Sequence, residues 1–473
     1  MNYDRILKYI LQKKKGKWWI AYPPMPYIPI LPETIRAYLH NVFSEKNRKN
    51  IGLYIHIPFC ASRCYFCGFY SEPICNRETM TDYINCLEKE LLSYRVDFRQ
   101  HLLHSIYLGG GTPTLLDEQN WEKIIKIINK FFKIDKRVQI ATEGTPESCT
   151  YSKLKLLKEL GINRFSIGVQ TFDEKILNSL NRRHSVSDIY TAFKNARAVG
   201  FKYINADLLF GLPGETEESF LKTLKHTVEL RPECISPTFF EFNKYVLFLK
   251  KDVKDAYISK DKKEIRAFLR ITKFLTSFGY HNIIDGVNHR CFFLNGQIQA
   301  YNQTVIPRIT RDSIFAIGCH AESYLNYSGE RSYQLRCINN ATIQEYISGH
   351  KKGKIPTFFG RELLEDEITR QYLIYCFIYL LGRINKDYFL SRFKRELMPF
   401  LRRDFNKLLR DNKFIETQKD VVFQQKWPYH FANRAEFLIF CLKYLYSPKI
   451  LKNIEQQYSV ISFIKKQWKN LFK

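Results

Sequence analysis

The stretch "YIHIPFCASRCYFCGFY", Tyr54 to Tyr70, decides how the rest of this 473-residue chain is read. "GLYIHI", which overlaps its start, reads as a strand, and Cys60, Cys64 and Cys67 follow on a loop at i, i+4 and i+7. Three thiolates spaced this way can reach one metal centre. A structural zinc site takes four ligands, and no fourth stands at the expected spacing: Cys75 is eight residues further on, and His56 lies inside the strand. Three thiolates on a [4Fe–4S] cube leave one iron open, which is useful where another ligand binds it. Two residues after Cys67, where a further cysteine could stand, the chain has Phe69.

From residue 51 short apolar strands alternate with amphipathic helices. After "GLYIHI" come "MTDYINCLEKELLSY", "SIYLGGG" and "QNWEKIIKIINKFFK", then the strands "VQIATEG", "RFSIGVQ", "YINADLLFGLP" and "CISPTFF" with helices between them. In "QNWEKIIKIINKFFK" the apolar residues recur at three- and four-residue spacing, the period of a one-sided helix. Gly161 and Gly200 close two of the helices, where a left-handed cap costs glycine little. Six strands alternating with helices predict an α/β fold, a partial (β/α)6 barrel of the TIM type over residues 51–300. Such barrels carry their functional groups at the C-terminal strand ends. The cysteine loop, "GGGTPT", Glu143, Gln170 and Asp207 all fall at those ends.

Residues 1–50 read as a basic, proline-rich N-terminal arm, because the prolines of "AYPPMPYIPILPE" oppose both helix and central strand. After residue 300 the alternation is lost. "EDEITRQYLIYCFIYLLGRINKDYFLSRF" then opens a basic, mainly helical C-terminal domain, 301–473. The net charge of +27 is uneven: +7 in residues 1–50, +13 in residues 351–473 and +7 in the 300 residues between. Basic ends favour anionic partners such as lipid headgroups or a substrate bearing carboxylates or phosphates. No helix-turn-helix, zinc finger or stacking motif is legible, so nucleic acid is not expected as a partner. The start of the chain lacks the pattern of a secretory signal and no run of 18 apolar residues occurs. The expectation is therefore a cytoplasmic protein, with peripheral contact at the inner membrane face. Twelve cysteines in a chain of this kind point to metal or redox chemistry rather than disulfides.

C-x3-C-x2-C, preceded by "YIHIPF" and followed by "GGGTPT", "FSIGVQTFDEKILNSLNRRH" and "INADLLFGLPGET", resembles the radical S-adenosylmethionine (SAM) enzymes. Within them it is similar to the oxygen-independent coproporphyrinogen III oxidases and their relatives, from about Tyr54 to Pro237. The resemblance implies a [4Fe–4S] cluster on Cys60, Cys64 and Cys67, whose open iron takes the amine and carboxylate of SAM. An electron donor such as flavodoxin or ferredoxin would reduce it, and SAM cleavage would give a 5′-deoxyadenosyl radical that takes hydrogen from substrate. By the same resemblance Tyr54 packs beside the cluster, and the backbone of Gly110, Gly111 and Thr112 accompanies the amino end of SAM. Glu143, Gln170, Arg182 and Asp207 match SAM-binding positions, some of them serving a second SAM molecule.

Departures from the family set the expected reaction. The oxidases carry C-x3-C-x2-C-x-C, and Phe69 replaces the last cysteine here. The related heme chaperones carry an "HNxxYW" type motif after the barrel, where this chain has only "AYNQT" near residues 300–304. Class C radical SAM methyltransferases are similar in the three-cysteine loop followed by an aromatic and in positions for two SAM molecules. The leading expectation is thus a methyltransferase for an aromatic or heteroaromatic substrate such as menaquinone. The alternative is a tetrapyrrole enzyme, degrading heme or decarboxylating coproporphyrinogen III, or a heme chaperone. His289 and His320 follow the barrel and are candidates to contact substrate, with Cys291 and Cys319 near them. Cys376 and Cys441 sit in apolar runs and read as packing.

Overall fold

The computed structural model describes residues 28–44, 50–74, 76–240, 261–284, 291–295, 312–328, 332–354, 357–379, 382–424 and 444–445. Cys75, His289, Cys441, the "AYNQT" segment and residues 1–27 of the arm lie outside them.

One thirteen-stranded sheet organises the chain. Its strands are β1 (Ile28–Ile30), β2 (Ile51–Ile57), β3 (Leu102–Gly110), β4 (Lys133–Gly144), β5 (Arg164–Gln170), β6 (Tyr203–Phe210) and β7 (Cys234–Phe239), followed by β8 (Tyr280–Ile284), β9 (Cys291–Leu294), β10 (Ser313–Ile317), β11 (Glu322–Ser328), β12 (Ser332–Asn339) and β13 (Phe358–Leu363). The spatial order is β1-β13-β12-β11-β10-β2-β3-β4-β5-β6-β7-β9-β8. From β2 to β7 the six strands run parallel and in chain order. This is the expected (β/α)6 unit.

Parallel neighbours need a crossover, and helices supply it. They are α2 (Arg77–Tyr94), α3 (Glu118–Phe131), α4 (Tyr151–Glu159), α5 (Glu174–Ser179), α6 (Val186–Ala198) and α7 (Glu217–Glu229), with α1 (Pro32–Val42) preceding β2. In α3 the buried residues Trp121, Ile124, Ile127 and Ile128 share one face, and the Asp117 side chain caps the helix by accepting from Asn120 N. β2 is buried at every position but Tyr54, the mark of a strand covered on both faces.

The arm does not stay extended. Ile28–Ile30 forms an edge strand against Phe358–Gly360, a place that tolerates Pro29 because an edge needs fewer ladder donors. Pro32 then opens α1 from the first turn, where its missing N–H has no partner to lose.

The boundary expected at residue 300 does not end the sheet. β10 pairs parallel with β2, from Ser313 opposite Ile51 to Ile317 opposite Ile55, and β11 to β13 continue it antiparallel. The β/α alternation stops because these strands are joined without crossover helices, apart from α9 (Ile343–Lys351) before β13. α8 (Asp261–Ser277) precedes β8.

Helices dominate only from α10 (Glu365–Tyr379), through α11 (Lys386–Phe393), α12 (Leu397–Asp404) and α13 (Asn406–Asp411). A small sheet of β14 (Arg383–Asn385), β15 (Phe414–Glu416) and β16 (Asp420–Phe423), ordered β14-β16-β15, packs with them. The turn from α11 to α12 spans Lys394 to Glu396, with Lys394 left-handed at φ 53°. α13 follows α12, and the β15–β16 hairpin comes after it. A fold feature of this kind names no partner. No described helix is long and apolar enough to cross a membrane.

Candidate functional site

β2 delivers the chain to the cysteine loop, and short hydrogen bonds strap the loop in place. Glu72 N donates to Pro58 O at 2.8 Å and Ile74 N to Cys60 O at 2.9 Å, closing its base. Tyr65 N donates to Leu180 O at 3.1 Å, and Asn181 Nδ2 to Arg63 O at 2.9 Å, tying its tip to the segment after α5. Cys60, Cys64 and Cys67 are half-buried and not oxidised to disulfides. Two side chains aim donors at sulfur: Thr112 Oγ1 at Cys60 Sγ, 3.7 Å, and Arg182 Nη1 at Cys64 Sγ, 3.4 Å. Burial pushes the free Cys67 thiol up to about 11, so ligation would have to displace its proton. Phe69 stands 57% exposed on the loop surface.

Among the described residues no three His, Cys, Asp or Glu side chains converge tightly enough to chelate a single ion. In a [4Fe–4S] cube each thiolate binds a different iron, so the set it needs is wider. Three free thiols on one strapped loop, with polar donors facing two of the sulfurs, fit such a cluster.

Behind the loop, Tyr54 Oη donates to His56 Nδ1 at 3.0 Å and His56 Nε2 donates to the Tyr70 carbonyl at 3.0 Å. A carbonyl only accepts, which fixes the proton on Nε2. Burial pulls His56 down to about 4, so the ring is neutral near pH 7. His320 stacks on Tyr70 with ring centroids 3.9 Å apart, against the loop. Cys319 is buried beside Tyr83, whose hydroxyl accepts from Cys319 N at 3.1 Å. Cys376 is buried in α10.

Gly110 and Gly111 answer to their own chain. Gly110 has φ +121°, and a Cβ there would stand 2.5 Å from the His56 ring; one on Gly111 would stand 2.5 Å from the Phe59 carbonyl oxygen. The expected reason for glycine was approach to SAM. Packing against β2 and the loop already requires it.

The remaining expected residues line the interior at the strand ends. Glu143 accepts from Tyr107 Oη at 2.6 Å and from Gly110 N at 2.8 Å. Burial pushes its carboxyl up to about 7, against those two hydrogen bonds. Asp207 accepts from Ser166 Oγ at 2.6 Å and Asn205 Nδ2 at 2.7 Å, and burial raises it as well. The polar chain continues from Ser236 Oγ to Asn205 Oδ1 at 2.8 Å, and Ser236 Oγ lies 3.6 Å from Cys291 Sγ. Gln170, left-handed at φ 67°, and Arg182 meet over Gly168, where a Cβ would stand 2.9 Å from Gln170 Nε2 and 3.3 Å from Arg182 Nη2. Tyr54 stacks on Tyr107 with centroids 6.0 Å apart.

The sequence reading missed His56, Tyr107, Ser166 and Asn205. Their signal was the two-residue period, which places His56, Ser166 and Asn205 on the same strand faces as Tyr54, Gly168 and Asp207, and the register, which sets Tyr107 opposite Tyr54. A cavity of about 910 Å³ lined by His40, Asp97, Arg99, Lys133 and Tyr327 opens at the opposite end of the strands and takes no part in this site.

Residues 54–227 match the radical SAM superfamily. The chain is 40% identical over 176 residues to the heme chaperone HemW of Bacillus subtilis (strain 168), covering 37% of this chain and 45% of that protein. It is 31% identical over 254 residues to the oxygen-independent coproporphyrinogen III oxidase of Escherichia coli (strain K12), covering 54% of this chain and 55% of that protein. The chain thus spans about half the length of these curated relatives. Against the corresponding oxidase of Helicobacter pylori (strain ATCC 700392 / 26695) identity is 26%, over 77% of this chain and 81% of that one. The solved structure of the coproporphyrinogen III oxidase HemN from Escherichia coli superposes with a TM-score of 0.71 at 22% identity, covering 90% of this chain and 95% of that one.

Proposed function

We propose that this chain, whose residues 54–227 match the radical SAM superfamily, holds its cluster on Cys60, Cys64 and Cys67 and acts with SAM on a tetrapyrrole. The superfamily's cofactors are a [4Fe–4S] cluster and SAM, which together supply hydrogen abstraction from unactivated carbon. The observation that carries the substrate class is that relatives of two different kinds, a heme chaperone and coproporphyrinogen III oxidases, share a tetrapyrrole as ligand.

The chain's own residues take the following parts. Arg182 holds Cys64 with one nitrogen and the Gly168 carbonyl with another, fixing the loop over the strand ends. Glu143 and Asp207 present carboxylates to the ammonium and sulfonium of SAM. Gln170 offers an amide to its polar groups, and the backbone of Gly110 to Thr112 runs beside them. Tyr54 and Tyr107, stacked, wall the site against water. A reduced flavodoxin or ferredoxin gives the electron, and positions for a second SAM lie among the same interior polar residues.

These relatives favour the tetrapyrrole alternative over the methyl transfer that Phe69 suggested. Phe69 is exposed on the loop surface and discriminates weakly among reactions. Anaerobic incubation of the reduced protein with methyl-labelled SAM and coproporphyrinogen III, heme or menaquinone, followed by mass analysis, tests the reading. A tetrapyrrole that loses carboxylate or is opened supports it; label in menaquinone with both tetrapyrroles untouched overturns it.

A further inference from the structure

We propose that Arg164 is the internal counter-charge of the two carboxylates that receive SAM, a positioning residue that acts through Glu143 and Asp207. The inference rests on the SAM reading above.

Arg164 opens β5 and is 2% exposed. Two residues on, Ser166 donates to Asp207 and accepts from Asn205, so this face of β5 looks into the interior. The two-residue period of a strand then puts Arg164 on the same face, one layer below. Its Cα partners are Ala141 on β4 and Tyr203 on β6, each two residues before the layer that holds Glu143 and Asn205. β5 lies between the strands that bear Glu143 and Asp207, and the Arg164 charge acts on both carboxyls.

The charge balance gives the position its meaning. SAM carries a sulfonium, an ammonium and a carboxylate, a net charge of about +1 near neutral pH, given the usual ionisation of such groups. A site for it needs anionic oxygens, and two carboxylates buried together repel each other and lose hydration. Besides each other, the groups that bear on them are Tyr54 on β2, Cys60 on the cysteine loop, Tyr107 on β3, Arg164 on β5, Cys291 on β9, and Arg182 after α5. Among these described groups the cations are the two arginines, and Arg182 already serves Cys64 and Gly168. Arg164 draws down both Glu143 and Asp207, opposing the burial that pushes each of them up. Without it, burial would be opposed at Glu143 by its two hydrogen bonds and at Asp207 by its two hydrogen bonds and Arg182, and both carboxyls would keep their protons to higher pH.

The test is SAM affinity by equilibrium dialysis on cluster-loaded protein, without turnover, from pH 6.5 to 8.5, for wild type, Arg164→Lys and Arg164→Met. Arg164→Met should bind SAM about tenfold more weakly at pH 7 and recover as pH rises. Arg164→Lys should stay near wild type. A loss in Arg164→Met that is the same at every pH, or no loss, overturns the proposal. If Arg164→Met does not fold, Arg164→Met/Glu143→Gln, which removes a charge of each sign, should fold; its failure assigns Arg164 to packing and also overturns the proposal. Wild type that holds its cluster but does not bind SAM instead refutes the functional reading, which separates the two failures.

Discussion

Arg182 Nη1 donates to Cys64 Sγ at 3.4 Å while Nη2 of the same guanidinium donates to the Gly168 carbonyl at 2.6 Å, so one side chain links the cysteine loop to the end of β5. Hydrogen bonds to a charged partner contribute about 1.5–3 kcal/mol, which is a factor of ten or more. Arg182→Ala should therefore weaken cluster retention about tenfold, read as iron released to a chelator under anaerobic conditions. Release at the wild-type rate would show that the contact does not hold the loop.

Glu143 gives a pH signature in the cofactor-free protein. Burial lifts its carboxyl to about 7 in the fold, above the ordinary value of 4.5, so the folded state binds the proton more tightly than the unfolded chain. The stability this proton gives is full below pH 4.5 and is lost as pH rises through about 7. The loss is about 3 kcal/mol on the usual conversion. Glu143→Gln should remove that slope, gaining on wild type between pH 5 and 8 in denaturant titrations. Parallel pH profiles for the two proteins would refute the assignment.

Glu90 is buried in α2 and accepts from Tyr94 Oη at 2.6 Å, from Gly318 N at 2.9 Å and from the Tyr346 hydroxyl. It joins α2, the turn after β10 and α9. Glu90→Ala leaves three buried donors without an acceptor and should cost about 3 kcal/mol or more. Glu90→Gln, which keeps an acceptor oxygen, should cost less. Equal losses by denaturant unfolding would mean that the site is held by volume alone.

Gly111 and Gly200 differ in what a methyl group meets. At Gly111 a Cβ collides with the Phe59 backbone, oxygen at 2.5 Å and carbonyl carbon at 2.9 Å; at Gly200, φ +85°, nothing lies within 4 Å. Gly111→Ala should displace the loop and reduce cluster content several-fold, with overpacking costs of about 1–3 kcal/mol. Gly200→Ala should cost about 1 kcal/mol from its left-handed backbone and leave iron content unchanged. Normal iron in Gly111→Ala would contradict the packing described here.

The six parallel strands were legible because buried strands read as apolar runs and the helices between them repeat at 3.6 residues. The strand ends then located the cysteine loop, Glu143, Gln170 and Asp207 together. His56, Arg164 and Asn205 were not legible: a polar residue inside a strand looks like an interruption until the register shows which face it occupies. β10 to β13 were missed for a related reason, since antiparallel strands without crossover helices break the alternation that marked the barrel. Lys394 ends α11 in a left-handed position where glycine is the usual signal, so that helix end was not legible either. Phe69 misled in the other direction, because a residue type at a motif position says nothing of exposure.

The central claim is that Cys60, Cys64 and Cys67 hold a cluster that cleaves SAM. Its most direct test is release of 5′-deoxyadenosine from SAM by the anaerobically reconstituted, dithionite-reduced protein, beside Cys64→Ala treated identically. Wild type should release 5′-deoxyadenosine and Cys64→Ala none, with its cluster lost. A wild-type protein with an intact cluster and no 5′-deoxyadenosine, or a Cys64→Ala variant as active as wild type, would contradict the account.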